Sequence, residues 1–281
     1  REGEVITAVG GTPVAEAPNF YALLADRADR RTILRVRGTD GEEREVVIRP
    51  AESLDDELYR EWVEERRRLT EEYSDGRLGY LHVEGMNWPS FERFERELQA
   101  AGDGKEGLLV DVRFNGGGWT TDYLLTVLTY PQHAYTVPRG ATPDLEANHE
   151  AFRGHYPFGE RLPQAWWTRP VGALANQNSY SNAEIFSHAF KTLDLGPLVG
   201  EPTFGAVIST GGAGLMDGSF VRLPFRAWYV KATDENMEHG PAVPDHVVPR
   251  RPDDRADGED DQLRKAVEVM LERIDAGEGG S

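Results

Sequence analysis

Residues 107–118 read GLLVDVRFNGGG, a nearly continuous apolar run that leads into three consecutive glycines. The run over Gly107–Val112 predicts a buried strand. Glycine has no Cβ, so three of them after a strand let the backbone turn sharply or approach another group closely. Backbone of this kind can direct N–H groups toward an oxyanion that develops during acyl transfer. We therefore expect a shaped site at the end of this strand rather than a plain flexible turn.

Strands and helices alternate on both sides of this stretch, from Arg77 to the end of the chain. Further strands are predicted at 78–83, 171–175, 198–200 and 220–224, and helices at 88–101, 123–128, 183–193 and 261–274. This alternation is typical of an α/β domain. Residues 131–170 are rich in Pro, His, Gly and aromatic residues, which predicts a long loop or insertion.

A second strand exit lies at residues 175–186, which read ANQNSYSNAEIF. Ser181 stands at the predicted N-terminus of a helix, where free N–H groups and the helix macrodipole favour negative charge. A serine nucleophile benefits from this environment when its tetrahedral intermediate forms. Serine is also a common helix N-cap, and this motif by itself favours that structural interpretation. Ser179 is a second candidate nucleophile by the same reasoning.

A third segment, residues 237–245, reads MEHGPAVPD. One glycine and two prolines fix a loop that contains Glu238 and His239. By itself this segment indicates only a surface turn.

The first 50 residues predict a small β-rich unit. Strands are expected at Val5–Val9, 32–37 and 44–48, and apolar spacing predicts a helix over 20–28. The order of these elements resembles the second half of a PDZ domain. Residues 51–76 are expected to form a charged linker helix, and residues 77–281 the main domain. The chain starts with Arg1 rather than Met, so we expect it to be the C-terminal piece of something longer.

Composition excludes several function classes. Lys and Arg total 31 against 49 Asp and Glu, a formal net charge of −18, so nucleic acid and anionic membrane surfaces are poor partners. Cysteine is absent, which removes disulfides and thiolate nucleophiles. The seven histidines lack tight metal-ligand spacing, and phosphate-loop and dinucleotide motifs are missing. We therefore expect no cofactor and no metal.

The three strand-exit segments taken together resemble the core of the tricorn protease group, relatives of the tail-specific serine peptidases that process C-termini. The glycine segment 111–118, the stretch from Ser181 to Gly200, Asp217-Gly218-Ser219 and the loop around Glu238 occur in that family's order. The resemblance implies a ClpP/crotonase-like ββα spiral core behind a partial PDZ-like β-rich domain.

The resemblance also implies roles for individual residues of a serine endopeptidase. Ser181 would be the nucleophile and Glu238 the acid of the charge relay, while the backbone N–H groups of Gly118 and Asn182 would form the oxyanion hole. The family usually has an acid in place of Asn182. The base would be a histidine in a segment upstream of Arg1. The substrate cleft would be lined by seven residues: Gly116, Gly117, Gly118, Ser209, Thr210, Gly211 and Thr136.

By the same resemblance the enzyme would be cytoplasmic and would form a homo-oligomeric ring, such as a hexamer, that hydrolyses short peptides. Without its upstream histidine, this chain alone is expected to hydrolyse peptides poorly. One alternative is a non-catalytic protein of the same fold that binds ligands or peptides. A second alternative is a peptidase with a Ser–Lys dyad, for which Lys105, Lys191 and Lys231 are available.

Overall fold

The structure is a computed structural model, and it describes residues 2–162, 164–253 and 258–277. The chain divides into two compact units, Arg1–Trp62 and Val63–Ser281. The boundary between them falls inside helix α1 (Asp55–Tyr73).

The first unit is built on a four-stranded antiparallel sheet with strand order β2-β1-β3-β4. Its core consists of Val9, Leu34 and Val36. The predicted helix over 20–28 is wrong, because only a short 3₁₀ turn, Tyr21–Leu23, forms there. Asp26 has a φ of 57°, which a continuing right-handed helix does not allow. The strands of this sheet are β1 (Val5–Val9), β2 (Thr12–Pro13), β3 (Thr32–Arg37) and β4 (Glu43–Ile48).

The second unit is built on a five-stranded parallel sheet with strand order β13-β8-β7-β6-β5. The fold class predicted from sequence, α/β with an alternation of strands and helices, is confirmed. Strands buried on both faces are continuous apolar runs, as parallel sheets require. The strands are β5 (Leu78–His82), β6 (Gly107–Asp111), β7 (Val171–Ala175), β8 (Leu198–Gly200) and β13 (His246–Val247).

Helices cover this sheet. The main hydrophobic core contains Leu98, Leu124 and Phe186, which come from three different helices and are all fully buried. Trp167 is 4% exposed and also belongs to this core, so the end of the 131–170 segment returns to the domain interior. The helices are α2 (Trp88–Gly102), α3 (Thr121–Thr129), α4 (Leu145–Asn148), α5 (Phe158–Arg161), α6 (Asn182–Thr192) and α7 (Asp261–Asp275).

Two small antiparallel pairs complete the unit. The longer one joins β9 (Ile208–Gly214) to β10 (Phe220–Ala227), and every residue of β10 is exposed. The shorter one joins β11 (Tyr229–Val230) to β12 (Glu235–Asn236). Sequence patterns did not predict β9, because five of its seven residues are glycine, serine or threonine without an apolar alternation. Within the described ranges, the helices are all too short or too polar to cross a bilayer.

Candidate active site

The glycine segment leaves β6 in a conformation that ordinary residues avoid. Phe114 has a φ of 62°, Gly117 of 88° and Gly118 of 142°. The buried side chain of Asn115 holds the turn, since its Nδ2 donates to the Val83 carbonyl at 2.7 Å and its Oδ1 accepts from the Gly117 amide at 2.9 Å. The shaped site predicted at the end of this strand is therefore a turn fixed by side-chain hydrogen bonds.

Gly118 forms an isolated parallel bridge with Met86. The Met86 amide donates to the Gly117 carbonyl at 3.0 Å, and the Trp119 amide donates to the Met86 carbonyl at 2.7 Å. Since both bonds use the neighbours of Gly118, its own N–H and C=O face away from Met86. A Cβ on Gly118 would lie 1.9 Å from the Met86 carbonyl oxygen, so this position requires glycine.

Ser181 lies between β7 and α6 with φ 56° and ψ −113°. Ser181 is the N-cap of α6, and its amide donates to the Glu184 side chain three residues later, as in a capping box. Its backbone is nevertheless not extended, as that of an ordinary N-cap is. Non-glycine residues with positive φ are strained and concentrate at functional sites. A capping role and a strained backbone therefore occur together at this serine.

The glycine segment and the turn at Ser181 are in direct contact. The Tyr180 amide donates to the Asn115 carbonyl at 2.9 Å. A Cβ on Gly117 would lie 2.6 Å from the Tyr180 carbonyl oxygen and 2.8 Å from the Ser181 Cβ. The two segments that sequence analysis singled out separately therefore form one site.

Two backbone amides beside Ser181 lack an acceptor. In the parts of the chain that the structure describes, no group accepts a hydrogen bond from the amide of Gly118 or of Asn182. The Asn182 side chain instead accepts from the Thr121 amide at 3.0 Å, and the Asn182 carbonyl accepts from the Thr121 hydroxyl at 2.7 Å. The start of α3 is thereby tied to the residue after Ser181.

Glu184 is a functional candidate that sequence analysis missed. Its side chain is fully buried, and its Oε1 accepts from the Ser181 amide at 2.9 Å and from the Ala206 amide at 3.0 Å. Its Oε2 accepts from the Thr203 hydroxyl at 2.8 Å and from the Gly205 amide. An acid three residues after a serine at a helix start was the available signal.

Glu238 lies in the turn after β12, and its surroundings are less complete. Its Oε2 is buried and has no hydrogen-bond partner among the described residues. The turn is anchored by the His239 amide, which donates to the Gly205 carbonyl at 2.9 Å. Because the Gly205 amide bonds to Glu184, a chain of hydrogen bonds runs from Ser181 to the neighbour of Glu238.

Two histidine rings near this site, those of His188 and His82, bond to backbone carbonyls. Burial lowers the pKa of His188, and its Nε2 lies 3.0 Å from the Gly240 carbonyl oxygen, to which the neutral ring donates. Burial likewise lowers the pKa of His82, and its Nε2 lies 2.9 Å from the Arg113 carbonyl oxygen. Both imidazoles therefore hold the loops of the site in place.

A buried ionic network supports the end of β6. Arg113 bonds to Asp111 at 2.7 Å and to Asp260 at 2.9 Å, while Arg66 reaches Asp260 at 3.2 Å. Burial opposes the ionised form of Asp260, but Arg113 outweighs it and lowers the pKa of Asp260 to about 2. Burial, together with the Asp111 carboxylate, raises the pKa of Tyr80, whose hydroxyl donates to Asp111 at 2.7 Å.

The remaining cleft residues predicted from the family resemblance lie on two other segments. Ser209, Thr210 and Gly211 are in β9, where the Ser209 hydroxyl accepts from the Trp228 indole at 2.8 Å. Near the base of that hairpin, Ile185 of α6 packs in an apolar cluster with Val207 and Trp228. Thr136 lies in the segment 131–170, and its hydroxyl is bonded to the His155 ring at 2.7 Å.

Two of the lysines available for a Ser–Lys dyad form ion pairs. Lys105 pairs with Glu71 at 2.6 Å and Lys191 with Asp245 at 3.0 Å, so both ammonium groups are held by carboxylates. Over the residues described, His, Asp and Glu form no group of three or more that could hold a metal ion.

Comparison with known proteins identifies the family of this chain. The profile of peptidase family S41 matches residues 77–248, and that of the tricorn protease PDZ domain matches residues 1–53. Tricorn protease homolog 1 of Streptomyces coelicolor is 34% identical over 98% of this chain, and the tricorn protease of Thermoplasma acidophilum is 30% identical over 97%. A crystal structure of the tricorn protease superposes with a TM-score of 0.79 at 28% identity over 97% of this chain.

The chain spans about a quarter of the length of these relatives, 24% of each of the two sequences and 25% of the solved structure. The matches nevertheless reach both units, and the glycine segment, the Ser181 turn and the Glu238 loop all lie within residues 77–248. The chain belongs to peptidase family S41, in its tricorn protease group, as its sequence motifs predicted.

Proposed function

We propose that this chain is the serine-peptidase portion of a tricorn-type endopeptidase, with Ser181 as its nucleophile. The observation that carries the proposal is the contact between Gly117 and the strained turn at Ser181, with two acceptor-free amides beside it. Strain at a serine between a strand and a helix is the arrangement that exposes a nucleophile.

In this mechanism the Ser181 hydroxyl attacks the carbonyl carbon of a peptide bond. The amides of Gly118 and Asn182 donate to the resulting oxyanion, and the N-terminus of α6 adds the positive end of its macrodipole. The base takes the Ser181 proton as the new C–O bond forms and gives it to the leaving nitrogen as the tetrahedral intermediate collapses. The amine departs and leaves an acyl ester on Ser181, which water then hydrolyses.

The base is proposed to be an imidazole from a segment outside these 281 residues, oriented by Glu238. The buried Oε2 of Glu238, which has no hydrogen-bond partner among the described residues, supports this assignment, because a buried acceptor without a donor carries a desolvation penalty. His82 and His188 support it as well, since both already bond to backbone carbonyls. Without a base, serine is a weak nucleophile, and the chain alone is expected to react slowly.

The substrate is proposed to lie as an added strand along Gly116, Gly117 and Gly118. The outward-facing N–H and C=O of Gly118 support this, because they offer a peptide the pairing that a sheet edge offers. Ser209, Thr210 and Gly211 are proposed to line the other side of the cleft, and Thr136 the pocket for the side chain before the cut. The two last assignments rest on the family resemblance.

The assembly and compartment are proposed on the same basis. The relatives of known sequence are tricorn proteases, and the resemblance implies a ring of identical subunits, such as a hexamer, in the cytoplasm. The proposed partners are therefore peptides and further copies of the chain.

A fluorophosphonate probe tests the proposal, with the labelled residue mapped by mass spectrometry. Slow labelling of Ser181 is expected in this chain, and millimolar imidazole is expected to accelerate it by occupying the place of the missing base. The acceleration is expected to disappear in Glu238→Gln, which offers no carboxylate to orient the ring.

Two outcomes would count against the proposal. Absence of labelling with and without imidazole, in this chain and in a longer polypeptide that contains it, would favour the non-catalytic binding protein. Fast labelling without imidazole, abolished by Lys191→Ala or Lys231→Ala, would favour a Ser–Lys dyad.

A further inference from the structure

Four aromatic side chains from two helices and the glycine segment form one cluster. The Trp88 and Trp119 rings are nearly parallel, at 4°, with centroids 6.2 Å apart. Tyr123 meets them edge-on, at 5.7 Å from Trp88 and 5.8 Å from Trp119. Phe91 packs beneath, at 5.4 Å from Trp88 and 5.5 Å from Tyr123. We call these four residues the aromatic wall.

Three members of the aromatic wall are about half exposed. Trp88 is 44% exposed, Trp119 55% and Tyr123 45%, whereas Phe91 is buried. Large aromatic side chains that remain exposed together, rather than singly, mark binding sites on protein surfaces. The wall is therefore anchored in the core through Phe91 and presents its other rings to solvent.

The aromatic wall is continuous with the candidate active site. Trp119 directly follows Gly118, and its amide is fixed by the bond to the Met86 carbonyl at 2.7 Å. Thr121, two residues before Tyr123, donates from its amide and its hydroxyl to Asn182 at 3.0 and 2.7 Å. One ring thus directly follows Gly118, and the helix that carries Tyr123 is hydrogen-bonded at its start to Asn182.

We propose that the aromatic wall is a specificity subsite that receives one large aromatic side chain of a peptide bound along Gly118. This inference rests on the proposed peptidase function and adds the substrate class to it. A peptide paired with the outward edge of Gly118 runs past Trp119, so a side chain close to the cleaved bond meets the exposed rings.

The chemistry of the wall selects an aromatic occupant. The Trp88 indole N–H already donates to Glu92 at 2.9 Å, so the polar edge of this ring is satisfied within the chain. The faces of the exposed rings are apolar, and a further ring gains both area burial and edge-to-face contact. Small side chains gain neither.

Calorimetric titration with hexapeptides tests the inference on the whole chain. A single Phe is moved through the six positions of an otherwise Ala/Gly sequence, and mass spectrometry confirms that each peptide stays intact. One position is expected to bind at least about tenfold more tightly than its Ala counterpart. Trp119→Ala and Tyr123→Ala are each expected to remove that preference, whereas the matched control Trp166→Ala retains it.

The outcomes separate this inference from the proposed function. Fluorophosphonate labelling of Ser181 in the unmodified chain, without any preference for Phe, would overturn the subsite and leave the peptidase proposal standing. A preference for Phe that depends on Trp119, in a chain that the probe never labels, would support the subsite alone. Tighter binding of Arg than of Phe, or loss of self-association in Trp119→Ala with unchanged peptide binding, would also overturn it.

Discussion

Glu184 and Glu238 are two carboxylates of one site with opposite surroundings. Glu184 is fully buried and accepts four hydrogen bonds, from the Ser181, Ala206 and Gly205 amides and the Thr203 hydroxyl. Glu238 has a buried oxygen that accepts none from the described residues. The carboxylate beside Ser181 is thus fully hydrogen-bonded by the described residues, while that of Glu238 has an oxygen that none of them satisfies.

The two carboxylates are therefore expected to respond differently to mutation. A fully satisfied buried carboxylate fixes the geometry around it, because removal of any partner leaves a desolvated group. A buried carboxylate oxygen without a partner lowers the stability of the fold until a donor from a bound segment or ligand satisfies it. The predictions below test whether the two carboxylates differ in this way.

The largest effect is expected from Gly117→Ala. The new Cβ would lie 2.6 Å from the Tyr180 carbonyl oxygen, at a φ of 88° that alanine avoids. We expect a loss of at least about 3 kcal/mol in the free energy of unfolding, and no labelling of Ser181. Gly116→Ala is the matched control, since nothing lies within 4 Å of its added Cβ, and it should stay within about 0.5 kcal/mol of the parent. Equal losses in the two variants, measured by urea denaturation, would show that the contact with Ser181 is unimportant.

Glu184→Gln is expected to have the next largest effect. A glutamine places an N–H₂ group where the carboxylate accepts two hydrogen bonds, so buried donors face a donor. We expect a loss of about 2–4 kcal/mol in the free energy of unfolding and at least about tenfold slower labelling of Ser181. A variant that is destabilised but labels at the parent rate would mean that Glu184 supports folding without positioning the nucleophile.

Acid is expected to destabilise the fold through Asp260, which belongs to the buried ionic network at the end of β6. Its pKa is lowered to about 2 in the folded chain and is about 3.9 when unfolded, so the ionised form stabilises the fold above pH 4. This stabilisation, about 2.5 kcal/mol, is lost as the pH falls from about 4 toward 2. Urea denaturation at several pH values measures the slope. Asp260→Asn has no carboxyl group to protonate there, and its slope should be shallower over the same interval.

The smallest effect on stability is expected from Glu238→Gln. The Oε2 of Glu238 has no hydrogen-bond partner among the described residues, so replacement of this oxygen by an amide nitrogen breaks no hydrogen bond to them. We expect a change of less than about 0.5 kcal/mol in the free energy of unfolding. A loss as large as that of Glu184→Gln would mean that the Glu238 carboxylate is already hydrogen-bonded within this chain. The two carboxylates would then not differ in the way described above.

The sheet was predictable because its strands are buried on both faces. The runs at 78–83, 107–112 and 171–175 contain almost only apolar residues, and each became a strand of the parallel sheet. The helix expected over 20–28 did not form, although its apolar spacing was helical. Short segments of that kind depend on tertiary packing, which a local pattern does not contain.

Individual site residues were predictable only where a local motif accompanied them. The three glycines and Ser181 each followed a strand, and the structure brings Gly117 and Ser181 together. Glu184 was overlooked because its donors lie on a loop about twenty residues further along the chain. The aromatic wall could not be predicted from sequence for the same reason, since Trp88 and Trp119 belong to segments that only the fold brings together.

The backbone angles of Ser181 have a consequence for how such sequences change over time. A residue with φ 56° and ψ −113° is strained unless it is glycine, and relief of such strain is worth about 1–3 kcal/mol. Mutation to glycine would therefore remove this strain together with the hydroxyl group that the proposed mechanism requires. A change that abolishes the proposed reaction is thus also one that stabilises the fold, so stability alone would favour glycine at this position.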